Sequence, residues 1–254
     1  MYQRSSTVKN CQLNQIKTPT LFIHGYAGNY FSFGRMLKRF GKNGWGTKTG
    51  MIFVSHRGKV YFQGNPQGLT QVLFFENRDQ VDQQVKWIWK ILNQLKFYYQ
   101  IPRVNIVAHS MGCVSVLKYL NQFGTDQRVA SVEKVVTIGA PFNDLEVGKR
   151  TPYIENYELT ADGPVKMTPL YQWMRDHQMG IPSAIKFLNI AGNLQNGSHS
   201  DGQVSVNSAL SLRFLVWNIK NYRELVIHGK RAGHSNLHEN QQVDQAIFKF
   251  LKDD

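Results

Sequence analysis

Apolar positions recur along this chain in two rhythms, and the alternation between them predicts the architecture. Residues 79–99 carry Val81, Val85, Ile88, Leu92 and Leu95 at steps of four, three, four and three, which lays one apolar stripe along a helix. Trp87 and Trp89 flank that stripe and read as packing residues. Residues 240–252 repeat the rhythm, with Val243, Ile247, Phe250 and Leu251 sharing one face. NYFSFGRMLKRF and residues 112–123 also read as helices. Short apolar runs stand between the helices: TPTLFIHG (a strand from Thr20 to His24), TQVLFFE, RVNIVAH, EKVVTIGAP, AIKFLNIAG and YRELVIHG. Residues 49–63, TGMIFVSHRGKVYFQ, predict a hairpin turning at HRGK.

Three stretches break the rhythm. Residues 1–17 form a polar lead-in, and DGQVSVNSALSLRFLV runs from a loop into a helix. Residues 142–182 hold Pro152, Pro164, Pro169 and Pro182 with no sustained period, which predicts an insertion or lid. That segment also carries Tyr153, Tyr157, Met167, Tyr171, Trp173, Met174 and Met179, so the expectation is an apolar cover over an acyl pocket. Strands alternating with helices predict an α/β fold with a mostly parallel central sheet and helices on both faces. Ligand sites in such sheets lie beyond the carboxyl ends of the strands.

Composition narrows this picture. The 254 residues are 42% hydrophobic, enough for a single domain over 1–254 with a small cap at 142–182. Aromatic residues at 12% argue against disorder. A formal net charge of +13 favours anionic surfaces such as nucleic acid, acidic lipid or cell-wall polymer. The Lys and Arg are scattered without a run of five, so the charge predicts general or envelope-facing attraction rather than specific nucleic-acid recognition. Cys11 and Cys113 form neither a disulfide framework nor a zinc spacing, and Cys113 falls in an apolar helix where a thiol is inert. No apolar run reaches the ~18 residues of a membrane span, and the opening MYQRSSTVKN does not read as a signal peptide.

The candidate chemistry begins in VNIVAHSMGCVSVLKYL, residues 104–120, where a buried strand stops at His109 and Ser110 and a helix follows. Ala108 and Gly112 take the small flanking positions of a G-x-S-x-G corner, with alanine replacing the first glycine. Such a turn aims the Ser110 hydroxyl into a pocket, whereas a plain helix N-cap would aim it at the backbone. A nucleophilic serine needs a base, and the base needs a carboxylate to hold its tautomer. Among the downstream acids, Asp201 sits in the turn-forming stretch NGSHSDGQVSV after a late strand. HGKRAGHSNLHEN offers His228, His234 and His238; His234, on a glycine-led loop, is the first choice, with His238 and His228 as alternatives. His109 is expected to point away from the pocket because it adjoins the serine. Oxyanion donors are expected at the N–H of Met111, next after the serine, and of Tyr26 in FIHGYAGN. No nucleotide-loop glycine pattern or zincin histidine pair is present, so neither a cofactor nor a metal is implied.

PTLFIHGYAGN, IVAHSMG, TIGAPF, SDGQVSV and GHSNLHEN together resemble the bacterial α/β-hydrolases commonly called cell-surface hydrolases, a lipase-like group whose substrates are largely uncharacterised. The resemblance covers about residues 18–252. It implies the α/β-hydrolase fold, Ser110 as nucleophile, Asp201 as acid, His234 as base, Tyr26 and Met111 as oxyanion donors, and a place at the cell envelope, although no leader is visible. Cys113 stands where that group usually has a second glycine. The implied activity is hydrolysis of an ester, from a small molecule, a lipid or an acylated envelope component. Thioesterase, peptidase or acyltransferase chemistry on the same residues and non-catalytic binding of envelope polymer are the alternatives.

Overall fold

The structure, a computed structural model, describes residues 15–76, 78, 81–145 and 153–252. Cys11 and Pro152 lie outside the described residues, as do most of the polar lead-in and 146–152 of the proposed lid. The chain runs β1 (Thr20–Ile23), α1 (Phe31–Lys42), β2 (Lys48–Val54), β3 (Val60–Gly64), β4 (Leu69–Phe74), α2 (Val81–Tyr98), β5 (Arg103–His109) and α3 (Met111–Phe123). It continues through β6 (Ser131–Ile138), β7 (Leu159–Thr160), β8 (Gly163–Pro164), α4 (Pro169–Asp176), β9 (Lys186–Asn193), α5 (Val206–Leu210), α6 (Leu212–Leu215), β10 (Tyr222–His228) and α7 (Gln241–Lys252).

Eight strands form one sheet in the order β10-β9-β6-β5-β1-β4-β2-β3. All its pairings are parallel except the β2–β3 hairpin, which was legible as residues 49–63. Side chains along a strand point alternately to opposite faces, and the core divides accordingly. Leu21, Ile23, Ile106 and Ala108 face α2 and α3, whose Val85, Ile88, Leu92 and Leu95 belong to the predicted stripe. Phe22, Val107, Val136 and Ile138 face α1 and α7, meeting Phe33, Phe40, Val243 and Ile247. This is the mostly parallel sheet, covered on both faces, that the alternating pattern predicts.

The segment containing the proposed lid packs differently from expectation. Its described part holds the two-residue pair β7–β8 and the helix α4, which Thr168 caps by accepting the Tyr171 N–H at 3.3 Å. Tyr171 and Met174 are fully buried in the core beside α3, and the Tyr171 hydroxyl donates to the Ser211 carbonyl at 3.0 Å. Trp173 stacks on His177 and lies under Lys118 Nζ, while Tyr153 and Met179 are exposed. The helical spacing of Tyr171 and Met174 turns both toward the sheet, so they are spent on attaching the segment.

On the face covered by α1 and α7, Arg39 ties the two helices together. From α1 it donates to Asp244 of α7 (Nη2 to Oδ1, 3.0 Å), to Glu239 (2.8 Å) and to the His238 carbonyl (2.9 Å). Asp244 is 2% exposed, so removing its partner leaves a buried carboxylate uncompensated. Arg39→Ala is expected to destabilise the fold by about 3 kcal/mol in urea denaturation. Arg39→Lys should recover only part of that, because an ammonium cannot fork between the two carboxylates.

Candidate active site

Residues that follow the carboxyl ends of β1, β4, β5, β6, β9 and β10 meet at one cavity. β5 ends at His109, and Ser110 turns the chain before α3 starts at Met111. Ser110 has φ 55° and ψ −130°, a left-handed conformation that costs a non-glycine residue about 1–3 kcal/mol. Close approach of the neighbouring backbone makes the corner fit: a Cβ on Gly25 would lie 2.7 Å from the Ser110 Cβ. The Ser110 N–H donates to the Ile138 carbonyl at 2.9 Å. The side chain makes no capping bond to α3; its Oγ lies 2.9 Å from His234 Nε2.

His234 follows β10 on the loop predicted to carry the base, and its Nδ1 lies 2.8 Å from Asp201 Oδ2. A carboxylate only accepts, so Nδ1 carries the proton and Nε2 is free to accept from the Ser110 hydroxyl. Asp201, beyond β9, accepts at Oδ1 from the N–H groups of Gln203 (2.9 Å) and Val204 (2.7 Å), which fixes its orientation. Ser110, His234 and Asp201 are 8%, 7% and 3% exposed, so their hydrogen bonds are shielded from competing water. Of the other two histidines considered for the base, His228 ends β10 at an exposed position. His238 reaches the cavity wall, with its ring edge-on to His109.

β1 supplies the opposite wall. The His24 Nδ1–H donates to the Gly25 carbonyl at 2.8 Å, and Nε2 accepts the Phe74 N–H at 3.0 Å. This buried, neutral imidazole therefore ties the Gly25–Gly28 turn to the end of β4. Tyr26, Ser110 and His234 line the same cavity of about 380 Å³. Met111, as the first residue of α3, has an N–H with no intrahelical acceptor.

Comparison with known proteins bears on the family and the fold. The family described as "Alpha/beta hydrolase of unknown function (DUF915)" matches residues 7–254. The chain belongs to that family. Among solved structures it is similar to the lin2722 gene product of Listeria innocua, with 26% identity, coverage of 92% of this chain and 94% of the other, and a TM-score of 0.84. It is also similar to the "putative cell surface hydrolase" of Lactobacillus plantarum WCFS1, at 18% identity, 93% and 90% coverage and a TM-score of 0.72. The Bacillus licheniformis lipase BlEst2 shares the fold at 14% identity, 99% and 95% coverage and a TM-score of 0.57. No curated protein matches the chain.

Three features of this α/β-hydrolase differ from the sequence expectation or lay outside it. First, His109 does not point away from the cavity. Its ring lies against those of His234 and His238, with centroids 4.6 and 4.9 Å apart, and all three line the cavity. Second, the cavity wall is polar. Arg78, Asp144, Glu155 and Gln203 line it, and none of the seven aromatic and methionine residues expected as its cover does. Asp144 accepts from Ser208 Oγ, and burial pushes its carboxyl up to about 7. Third, Gly139, in TIGAPF, has φ 55°, and a Cβ there would lie 3.0 Å from Asp201 Oδ2. Glycine in that block was the available signal for this close approach.

Burial, the largest effect in each case, lowers the pKa of His24, His109 and His238 below the ordinary histidine value of 6.5. Each imidazole therefore costs no stability above pH 6.5. Each costs more as pH falls below it, because the unfolded chain takes up the proton first. Asp144, raised, takes its proton first in the folded chain and offsets part of that loss. In an NMR titration the His24 and His109 rings should remain neutral below pH 6.5; titration at or above that value contradicts the burial argument.

Proposed function

We propose that this α/β-hydrolase cleaves carboxylic esters through a covalent intermediate on Ser110. The observation that carries the reading is the buried chain of hydrogen bonds from Asp201 through His234 to the Ser110 hydroxyl, at 2.8 and 2.9 Å. Ser110 Oγ attacks the ester carbonyl carbon while His234 Nε2 takes its proton. Asp201 stabilises the imidazolium that forms and keeps the ring in the tautomer that can accept. The oxyanion rests on the N–H groups of Met111 and Tyr26, each such donor being worth about 3–4 kcal/mol in the transition state. Collapse of the tetrahedral intermediate expels the alcohol, which takes the proton from His234 and leaves an acyl-Ser110. Water, deprotonated by the same imidazole, attacks that ester and releases the acid.

Thioester or amide cleavage and acyl transfer would use the same groups; the lipase among the structural relatives favours an ester. The polar wall formed by Arg78, Asp144, Glu155 and Gln203 favours a short or polar acyl group over a long aliphatic one. An acylated polar component of the envelope satisfies that wall, and the net charge of +13 favours an anionic surface around it.

A fluorophosphonate probe should label the parent protein and leave Ser110→Ala unlabelled; equal labelling of both removes the proposal. Across a nitrophenyl ester series, turnover should be highest for acetyl and butyryl esters and fall by at least about tenfold for dodecanoyl. A preference for the dodecanoyl ester would contradict the short-acyl reading.

A further inference from the structure

We propose that His109 is a positioning residue: its Nε2–H fixes the main chain of His234, and its ring confines the His234 imidazole. The proposal rests on the reading of Ser110, His234 and Asp201 as the reacting groups. His109 Nε2 lies 3.0 Å from the His234 carbonyl oxygen. A carbonyl only accepts, so Nε2 carries the proton. The ring is 6% exposed and meets the His234 ring at 45°.

The need for such a device follows from where the base sits. His234 opens a 3₁₀ segment, His234–Glu239, in a loop beyond the sheet, so no strand ladder holds its main chain. Four polar contacts hold it instead. Asp201 takes the His234 N–H with its carbonyl at 2.8 Å and the ring Nδ1–H with its carboxylate at 2.8 Å. The adjacent pair His109 and Ser110 takes the rest, His109 at the carbonyl and Ser110 at Nε2. Two loci thus grip both the backbone and the ring of the base.

Behind His109 the support continues. Its ring meets His238 edge-on at 4.9 Å, and His238 lies 5.9 Å from Phe33 of α1. The stack therefore links the base to a core helix on one face of the sheet. Burial first, then the neighbouring His234 and His238, disfavours charge on His109. A neutral ring beside His234 is what the mechanism needs, since His234 itself becomes cationic during acylation.

The test compares His109→Phe, which keeps a ring and removes the donor, with His109→Gln and His109→Asn. The Gln amide nitrogen reaches the position of Nε2; that of Asn does not. His109→Phe and His109→Asn are expected to lower kcat about 10- to 100-fold with KM within about twofold of the parent. His109→Gln should stay within about threefold of the parent kcat. The downfield proton resonance of the His234 Nδ1–H should persist in the Gln variant and broaden or vanish in the other two. If His109→Phe fails to fold, the Gln and Asn pair carries the comparison. Equal kcat for Gln and Asn, or a folded Phe variant with parental kcat, overturns the proposal. Turnover surviving in Ser110→Ala would instead overturn the reading beneath it, so the two failures are separable.

Discussion

The corner at Ser110 is the constraint on which the rest of the site depends. A serine in left-handed backbone between a buried strand and a buried helix stores strain that the surroundings must hold in place. The sheet does this with the Ser110 N–H on the Ile138 carbonyl. The neighbouring turn does it by offering Gly25 rather than a side chain. In return the hydroxyl leaves the helix end, where it would cap, and reaches an imidazole. Had the chain continued straight from β5, the alternation of a strand would have sent His109 and Ser110 to opposite faces.

The electrostatics of the cavity follow from burial more than from net charge. The chain carries +13 overall, yet the cavity wall includes Asp144 and Glu155, with Asp201 behind. Burial raises the Asp144 carboxyl and holds His24 and His109 neutral. Asp201 is differently placed, with backbone N–H groups on one oxygen and the imidazole on the other. In the proposed mechanism, the charge that develops on His234 meets the oriented Asp201 carboxylate and the neutral His109 ring.

Much of this was legible along the chain, because the relevant signals are local. The stripe from Val85 to Leu95, the hairpin at HRGK and the alternating faces of Leu21, Phe22 and Ile23 each follow from neighbours a few positions apart. Ser110, His234 and Asp201 could be nominated because each follows a strand, and parallel sheets gather those ends together. What was not legible depends on contacts between distant segments. Tyr171 and Met174 read equally well as a lid or as packing, and only the position of α4 beside α3 decides between them. Asp144 and Glu155 come from a stretch without periodicity, so nothing in the sequence assigns them to the cavity wall. His109 shares the cavity with Ser110 because the positive φ of Ser110 ends the strand alternation that would separate neighbouring side chains.

The central claim is that one hydroxyl, on that corner, is the group made reactive by the imidazole. The most direct measurement is peptide mapping by mass spectrometry after the folded protein has been quenched in acid during turnover of an activated acetyl ester. A single acetyl adduct is expected, on the peptide containing Ser110. Acetylation of another side chain at comparable stoichiometry, or ester turnover with the Ser110 peptide unmodified throughout, would contradict it.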